Sequence, residues 1–459
     1  MKISKLILLA AAILFTWTGS SFAQQWTWTS PGAVGSPGAS PSISAVSSTI
    51  CWVAGGASGA PKVYKSTDGG VNFTDVTGNI TGAELYCVWG VDGNIAFVGD
   101  GGAAGGLGGN AKVWKTTNGG TSWTTILTTG GTAGFLNGIV FSRTTPTFGI
   151  VESDPPTGFG NPYWVQKTTD GGLTWALTPT NPPGVAANAS AQNSIVCVDA
   201  NHFGFGTSPS VAGAAPARII FTTNGGTSWN TVVISATGSF TSCFAMASDW
   251  VNGVAGSIAT LPVISRTTNG GAIWTPVTGV AGMTGTSIGC WVATTQRVYV
   301  TSQVGAAGCV EQSTDGGATW SQMNTSAIIS LNDISVILTG TVISGYAIGT
   351  DGSVISLVSD MTGIDPNNNS VPTSYKLEQN YPNPFNPTTN IRYSLPKASN
   401  VTVKIFDILG HEVMTVVNGY QNAGNYVETV NASSLASGVY FYTIKANNFT
   451  ETKKMSLVK

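Results

Sequence analysis

The sequence predicts an all-β protein: a seven-bladed β-propeller followed by a small Ig-like β-sandwich. Three observations carry this expectation. Charged residues are only 9% of the 459 positions while glycine fills 59 of them. That balance favours short strands and turns over helices, whose A/E/K/L/R-rich runs are missing. One nine-residue segment recurs six times through the middle of the chain. Residues 375–459 leave that pattern and alternate apolar and polar positions with period two, as half-buried strands do.

The chain opens on Lys2 and Lys5, then the ten-residue apolar run Leu6–Phe15, then Ser21-Phe22-Ala23. A basic start, a short apolar stretch and small residues at −3 and −1 form a secretory leader, 1–23, cut before Gln24. The run is too short to cross a bilayer, which needs about 20 residues. No transmembrane span is expected elsewhere, so the mature protein works outside the cytoplasm.

The six repeats centre on Asp68, Asn118, Asp170, Asn224, Asn269 and Asp315, at spacings of 50, 52, 54, 45 and 46. A period of 40–50 with about four short strands per unit is the signature of a propeller. Each repeat reads as a turn. Asp or Asn before Gly-Gly supplies residues that tolerate positive φ. The Asp/Asn side chain accepts backbone N–H groups of the turn, and a preceding Ser or Thr adds a local hydrogen bond. A Trp or Phe five residues on begins the next strand and buries its ring between blades. In the second unit, Leu85–Gly90, Asn94–Asp100 and Ala111–Lys115 read as strands A to C, with D from Trp123. The seventh unit has strands at Asp333–Ile337, Gly345–Gly349 and Val354–Ser359, but no Trp strand. Trp26-Thr-Trp28 at the mature N-terminus is expected to complete it and close a ring spanning 24–360, which removes the open edges.

The pattern S/T-x-D/N-x-G-x-x-W is the Asp-box, or BNR repeat, and resembles the boxes of sialidase-like propellers. The Thr-Thr-Asn-Gly-Gly form is most similar to propellers of the photosystem II assembly and stability-factor family. The resemblance implies a fold far more than a function. Each box holds one carboxylate at most, whereas Ca²⁺ takes six to eight oxygens. With two histidines, no His cluster and no CxxC, no metal and no cofactor is expected. The six cysteines, Cys51, Cys87, Cys197, Cys243, Cys290 and Cys309, fall in propeller strands. They act as small core hydrophobes or pair in any of 15 ways.

In a four-stranded blade the boxes are C–D turns, and the long insertions lie on the opposite face: Asp100–Asn110, Asp154–Pro162, Ser208–Pro216 and Asn181–Gln192. Long loops on a rigid scaffold are where binding usually resides. There Glu152 and Asp154 are candidate catalytic carboxylates, and Phe159, Tyr163 and Trp164 candidate binding aromatics. Two carboxyls about 5–9.5 Å apart would suit glycoside hydrolysis. A sialidase would need an arginine cluster, and the propeller offers only Arg143, Arg218, Arg266 and Arg297. His202, the candidate base for a Ser-His-Asp site, sits in an A–B turn. The ring also has no basic excess, nine basic groups against 15 acidic over 24–360, so nucleic acid is not an expected partner.

Asp365–Thr373 is Asn- and Pro-rich and reads as part of a linker, 361–374. Beyond it stand Asn380–Thr389, Ile391–Pro396, Val403–Gly410, Ala423–Tyr426, Leu435–Tyr442 and Thr452–Lys459. These motifs, in this order at the C-terminus, closely resemble the type A C-terminal sorting domain of type IX secretion cargo. The residues carrying the match include Pro382, Asn383, Pro384, Gly410, Gly438, Lys453 and Lys454. The resemblance implies passage across the outer membrane, removal of 375–459 by a sortase, and a final place on the cell surface or in the medium. The resulting expectation is a non-enzymatic propeller that binds an extracellular glycan or protein. A sialidase-like or xyloglucanase-like hydrolase and an assembly factor for a membrane complex are the alternatives.

Overall fold

A computed structural model describes residues 29–458 except 36, 39, 58, 82–83, 103–109, 131–133, 187, 210–215, 238–239, 259–262, 278–288, 305–306, 329–330, 361–373, 381–382 and 422–423. The expected leader, Trp26–Trp28, Pro382 and nearly all of the expected linker lie outside the described residues. Every regular element described is a β-strand. The chain divides into two compact units, Trp26–Asn369 and one built on Ser370–Lys459.

The first unit contains seven four-stranded antiparallel sheets. Six are meanders whose first strand is innermost, and the seventh takes its outermost strand from the start of the described chain. The inner strands of blades 1 to 7 are Ser42–Ala45, Leu85–Gly90, Leu136–Phe141, Asn188–Cys197, Phe240–Met246, Cys290–Val292 and Leu331–Thr339. Each packs against the inner strand of the next blade, and the seventh returns to the first. Hydrogen bonds join these neighbours directly. Ile43 N donates to Asp333 Oδ2 (2.9 Å) and Ala45 N to Ser335 Oγ (3.0 Å). Gly90 N donates to Ser44 Oγ (3.0 Å).

The ring closes through the start of the described chain, just after Trp26–Trp28. The strand that completes blade 7 is Thr29–Ala33, paired antiparallel with Ser353–Asp360. Val34 N extends the pairing to Gly352 O (2.9 Å). The register is fixed by contact as well as pairing: a Cβ on Gly32 would lie 2.4 Å from Val71 O in the first box turn. A bulkier residue could not pack there.

The box turns hold one geometry in all six copies. The Ser or Thr hydroxyl (Ser66, Thr116, Thr168, Thr222, Thr267, Ser313) donates to the Asp/Asn Oδ1 at 2.8–3.0 Å. It accepts the N–H of the second glycine at 2.7–3.0 Å. The same Oδ1 accepts the backbone N–H four residues on at 2.8–3.0 Å. Both glycines sit at φ between 69° and 89°, where a side chain is strained. Strand D begins one residue after the aromatic, so the ring belongs to the turn, not to the strand. Only Trp123 is buried; it stands edge-on to Trp52 of blade 1 (6.2 Å) and donates to Val76 O (3.0 Å). Phe73, Trp175, Trp229, Trp274 and Trp320 are half-buried.

Each box also touches the preceding blade. A Cβ on Gly120 would lie 2.6 Å from Val76, on Gly172 2.7 Å from Phe97, and on Gly226 2.7 Å from Thr178. The base that opens the previous repeat clasps the same turn. Lys65 Nζ donates to Gly119 O (3.3 Å), Lys115 Nζ to Gly171 O (3.3 Å) and Lys167 Nζ to Gly225 O (2.9 Å). All five cysteines whose side chains are described, Cys51, Cys87, Cys197, Cys243 and Cys309, are free and buried.

The second unit stacks a three-stranded sheet (Lys376–Leu377, Thr388–Leu395, Gly424–Asn431) against a four-stranded one (Ser399–Phe406, Glu412–Gln421, Gly438–Ala446, Phe449–Leu457). Val401, Val403, Ile405 and Tyr442 point inward from the four-stranded sheet and are buried, as are Ile391 and Tyr393 across the core. Burying each such side chain contributes roughly 1.5–3 kcal/mol.

The paired glycines of one box separate the two demands on this turn. Gly171 and Gly172 both have positive φ, but a Cβ on Gly171 meets nothing within 4 Å while one on Gly172 meets Phe97 at 2.7 Å. Gly172→Ala should therefore cost about 1–3 kcal/mol more than Gly171→Ala in denaturant unfolding. Equal costs would show that the blade contact contributes nothing.

Candidate functional site: the loop-face carboxylates and the shaft of the ring

The residues expected to form a site on the loop face come together, but as a joint. Glu152 lies in the second strand of blade 3 and is fully buried. Among the described residues neither of its oxygens has a hydrogen-bond partner. The Ser190 hydroxyl is close enough to favour its anion slightly, but makes its bond to Asp154. Burial holds the Glu152 carboxyl well above its ordinary pKa. Asp154 Oδ1 accepts from Ser190 N (2.7 Å), Ser190 Oγ (2.8 Å) and Asn137 Nδ2 (3.1 Å). Burial raises its pKa to about 6 despite these bonds. Tyr163 is fully buried, with its hydroxyl donating to Asn188 O (3.0 Å). Trp164 is nearly buried, and Phe159 is 50% exposed. The cluster bolts blade 3 to the inner strand of blade 4 and presents no open pair of carboxyls.

That inner strand corrects another expectation. Asn181–Gln192 is not loop throughout; strand begins at Asn188. Its side chain donates to Thr207 Oγ1 (3.1 Å), which anchors the extension. His202 sits in its A–B turn as expected, with Nδ1 3.0 Å from Asp199 Oδ1 and its ring 5.5 Å from Trp250.

The larger feature is the shaft. The inner strands enclose a cavity of about 540 Å³. At one end the blade 4 strand bulges between Ser190 and Ile195, with Asn193 at φ 55°. The bulge throws two amides across the ring. Gln192 Nε2 donates to Ser40 O and Tyr86 O (both 2.8 Å). Asn193 Nδ2 donates to Asp333 Oδ2 (3.2 Å), which also accepts from Ser42 Oγ (3.1 Å) and Ile43 N. Asp333 is buried, and burial raises its pKa to about 6.

At the A–B turn end stands Arg143 of blade 3. Its guanidinium carbon is 4.2 Å from the Trp89 ring centre (blade 2) and 5.7 Å from that of Trp291 (blade 6). Nη2 donates to Ala45 O of blade 1 (3.1 Å). Protein walls surround the side chain, and this burial lowers its pKa to about 10. Water still reaches it along the shaft, so its own surface remains exposed. The sequence reading weighed Arg143 only as part of an arginine cluster and passed over Trp89, Trp291, Gln192, Asn193 and Asp333. Their signal, two Trp and one Asp in inner strands, is visible only once those strands face one shaft.

In the second unit the first motif is zipped to the last strand. Phe385 N donates to Ser456 O (3.0 Å) and Val458 N to Phe385 O (2.9 Å). Asn383 Oδ1 accepts from Ser456 N (2.9 Å). Tyr442 Oη accepts from Asn380 N (2.7 Å) and donates to Glu378 O (2.6 Å). Residues 379–458 match a family described as the secretion system C-terminal sorting domain. The C-terminal unit is such a sorting domain. It marks the protein for export by type IX secretion to the cell surface or extracellular space. Within the sorting domain, Pro384 follows Asn383 at that zipper, and Gly410 closes a turn at φ 84° with its N–H on Asp407 O (3.1 Å). Gly438 opens a strand, Lys453 pairs with Glu451 (3.1 Å), and Lys454 O accepts from Gln379 Nε2 (2.7 Å). Ile408 and Leu409, at 71% and 76% exposure, form an apolar turn tip that the sequence reading did not single out.

No curated protein matches the chain by sequence. Among solved structures, YCF48 from Cyanidioschyzon merolae is 13% identical with a TM-score of 0.50, over 72% of this chain and 98% of that one. YCF48 bound to D1 peptide is 17% identical, also at 0.50, over 73% and 97%. PorZ, a surface component of the type IX secretion system of Porphyromonas gingivalis, is 15% identical at 0.46, over 93% and 60%. The YCF48 likeness shows a shared propeller fold.

Two predictions follow from these geometries. The raised pKa values of Asp333 and Asp154, about 6 against an ordinary 3.8, make the folded chain hold protons that the unfolded chain has released between pH about 4 and 6. Stability then falls as pH rises through that window and is fully present below it. The melting temperature should be higher at pH 5 than at pH 7, with a smaller difference in Asp333→Asn; a flat or inverted profile would refute this. In the sorting domain, removing residues 453–459 strips Ser456 and Val458 from the zipper. The truncated chain should accumulate inside the outer membrane, read by fractionation, and normal export would overturn the inference.

Proposed function

We propose that the mature protein is a non-enzymatic binding ring, released or displayed outside the cell, which holds a glycan or protein partner at the mouth of its shaft. In this reading residues 1–23 are a leader, 24–360 the working ring, 361–374 a linker and 375–459 the part recognised by the secretion machinery and a sortase. The observation that supports it most is the contrast between two groups of residues. Glu152 and Asp154 are committed to a buried joint between blades, whereas Arg143, Trp89 and Trp291 line an accessible cavity. Ligand sites are typically concave, mostly apolar and fitted with a few placed polar groups.

The full chain should capture partners on a glycan and protein array. Val91, 42% exposed and at the shaft lining, and Phe159 on the loop face report which end is used. Val91→Glu should abolish capture and Phe159→Ala should leave it intact. Turnover in a polysaccharide screen that is lost in Asp154→Asn or Glu152→Gln would replace this reading with a hydrolase.

A further inference from the structure

The Arg143 guanidinium carries five N–H donors. Among the described residues one of them finds an acceptor, Ala45 O. No carboxylate among these residues lies within 4 Å of it. Asp333 is the one carboxylate among the described residues that line the cavity, and it makes no ion pair with Arg143. Asp333 is already supplied with donors from Ser42, Ile43 and Asn193. The guanidinium thus stands over two indoles beside Val46, Ile139, Ile195 and Ile334, wetted along the shaft and without a carboxylate partner among the described residues. A ligand that brings negative charge supplies that partner.

We propose that the shaft is a carboxylate pocket: it takes a ligand with one carboxylate on an apolar body, the carboxylate resting on Arg143 and the body against Trp291 and the aliphatic wall. This rests on the binding reading above and names its chemistry. The charge count sets the class. Among the described residues one guanidinium and no lysine line the cavity, which suits a monoanion rather than a phosphate dianion. The wall sets the body. The hydroxyls of Ser44, Ser142 and Ser335 are engaged in bonds between strands, to Gly90 N, Val198 O and Ala45 N respectively. Those three offer a polyhydroxylated sugar little to bond with, and apolar groups would displace water from the apolar wall. The amides of Gln192 and Asn193 bridge the ring at one end, so the ligand enters end-on past Arg143. A free aromatic or aliphatic acid and the C-terminus of a peptide both present this chemistry.

The test uses the full chain and calorimetric titration with four probes: 3-phenylpropionate, 3-phenylpropionamide, acetyl-glycyl-leucyl-phenylalanine, and the C-terminal amide of that peptide. At least one acid should bind one-to-one and at least about tenfold more tightly than its amide, as a charge-assisted bidentate contact does. That comparison needs no variant, so it stands even if substitutions loosen the ring. Arg143→Met should weaken the acid about tenfold or more while leaving amide binding as it was, and Arg143→Lys should keep part of the preference. A tighter peptide acid identifies chain ends as the source, and a tighter 3-phenylpropionate identifies small acids; either supports the pocket. Equal affinity for acid and amide, no binding of either acid at about 1 mM, or an unchanged acid affinity in Arg143→Met overturns it. An array partner lost in Val91→Glu with no acid preference sinks this inference alone. Polysaccharide turnover lost in Asp154→Asn sinks the binding reading itself.

Discussion

The ring depends on the close approach of each box turn to the blade before it. The second glycine leaves room for a side chain of the previous blade, as Gly172 does for Phe97 and Gly120 for Val76. The turn carbonyls then lie within reach of a lysine from that same blade. Each contact is small, since a net hydrogen bond contributes about 1 kcal/mol. Repetition around a closed ring makes them collective. The chain needs this because it has few charges. The ion pair Lys62–Asp75 is exposed on both sides, and such pairs contribute little.

Burial of polar groups follows from the same closure. Seven inner strands converge on one axis, so their polar side chains either bond across a blade boundary or face the shaft. Ser44 and Ser335 take the first course. Asp333 does both, accepting from its neighbour blade and from an amide that crosses the ring. Glu152 finds no bond among the described residues, and burial inside the joint raises its pKa. Arg143 takes the second course, its charge spread over two indoles and one carbonyl.

The sorting domain solves a different problem with similar means. Its first motif and its last strand are about 70 residues apart in sequence yet bonded to each other through Asn383, Phe385, Ser456 and Val458. The fold therefore requires the very end of the chain. That explains physically why motifs at both ends of this unit occur together, and it couples folding of the tail to the presence of its last residues.

The repeat, the turn chemistry and the tail motifs are legible in the sequence because each is local. A Ser/Thr-Thr-Asp/Asn-Gly-Gly run dictates its own φ angles and hydrogen bonds wherever it is placed, and six of them at blade spacing leave little choice of architecture. The period-two alternation of Val401–Phe406 likewise carried its buried face with it. Tertiary structure alone decided which polar residues are joints and which face open space. Glu152, Asp154 and Tyr163 cluster in sequence as a site would, yet the inner strand of blade 4, strand from Asn188 onward, covers them. Arg143, Trp89 and Trp291 span more than 200 positions and meet only because the ring closes. Proximity across a closed toroid is set by the curvature of all its blades together, and no local pattern encodes it.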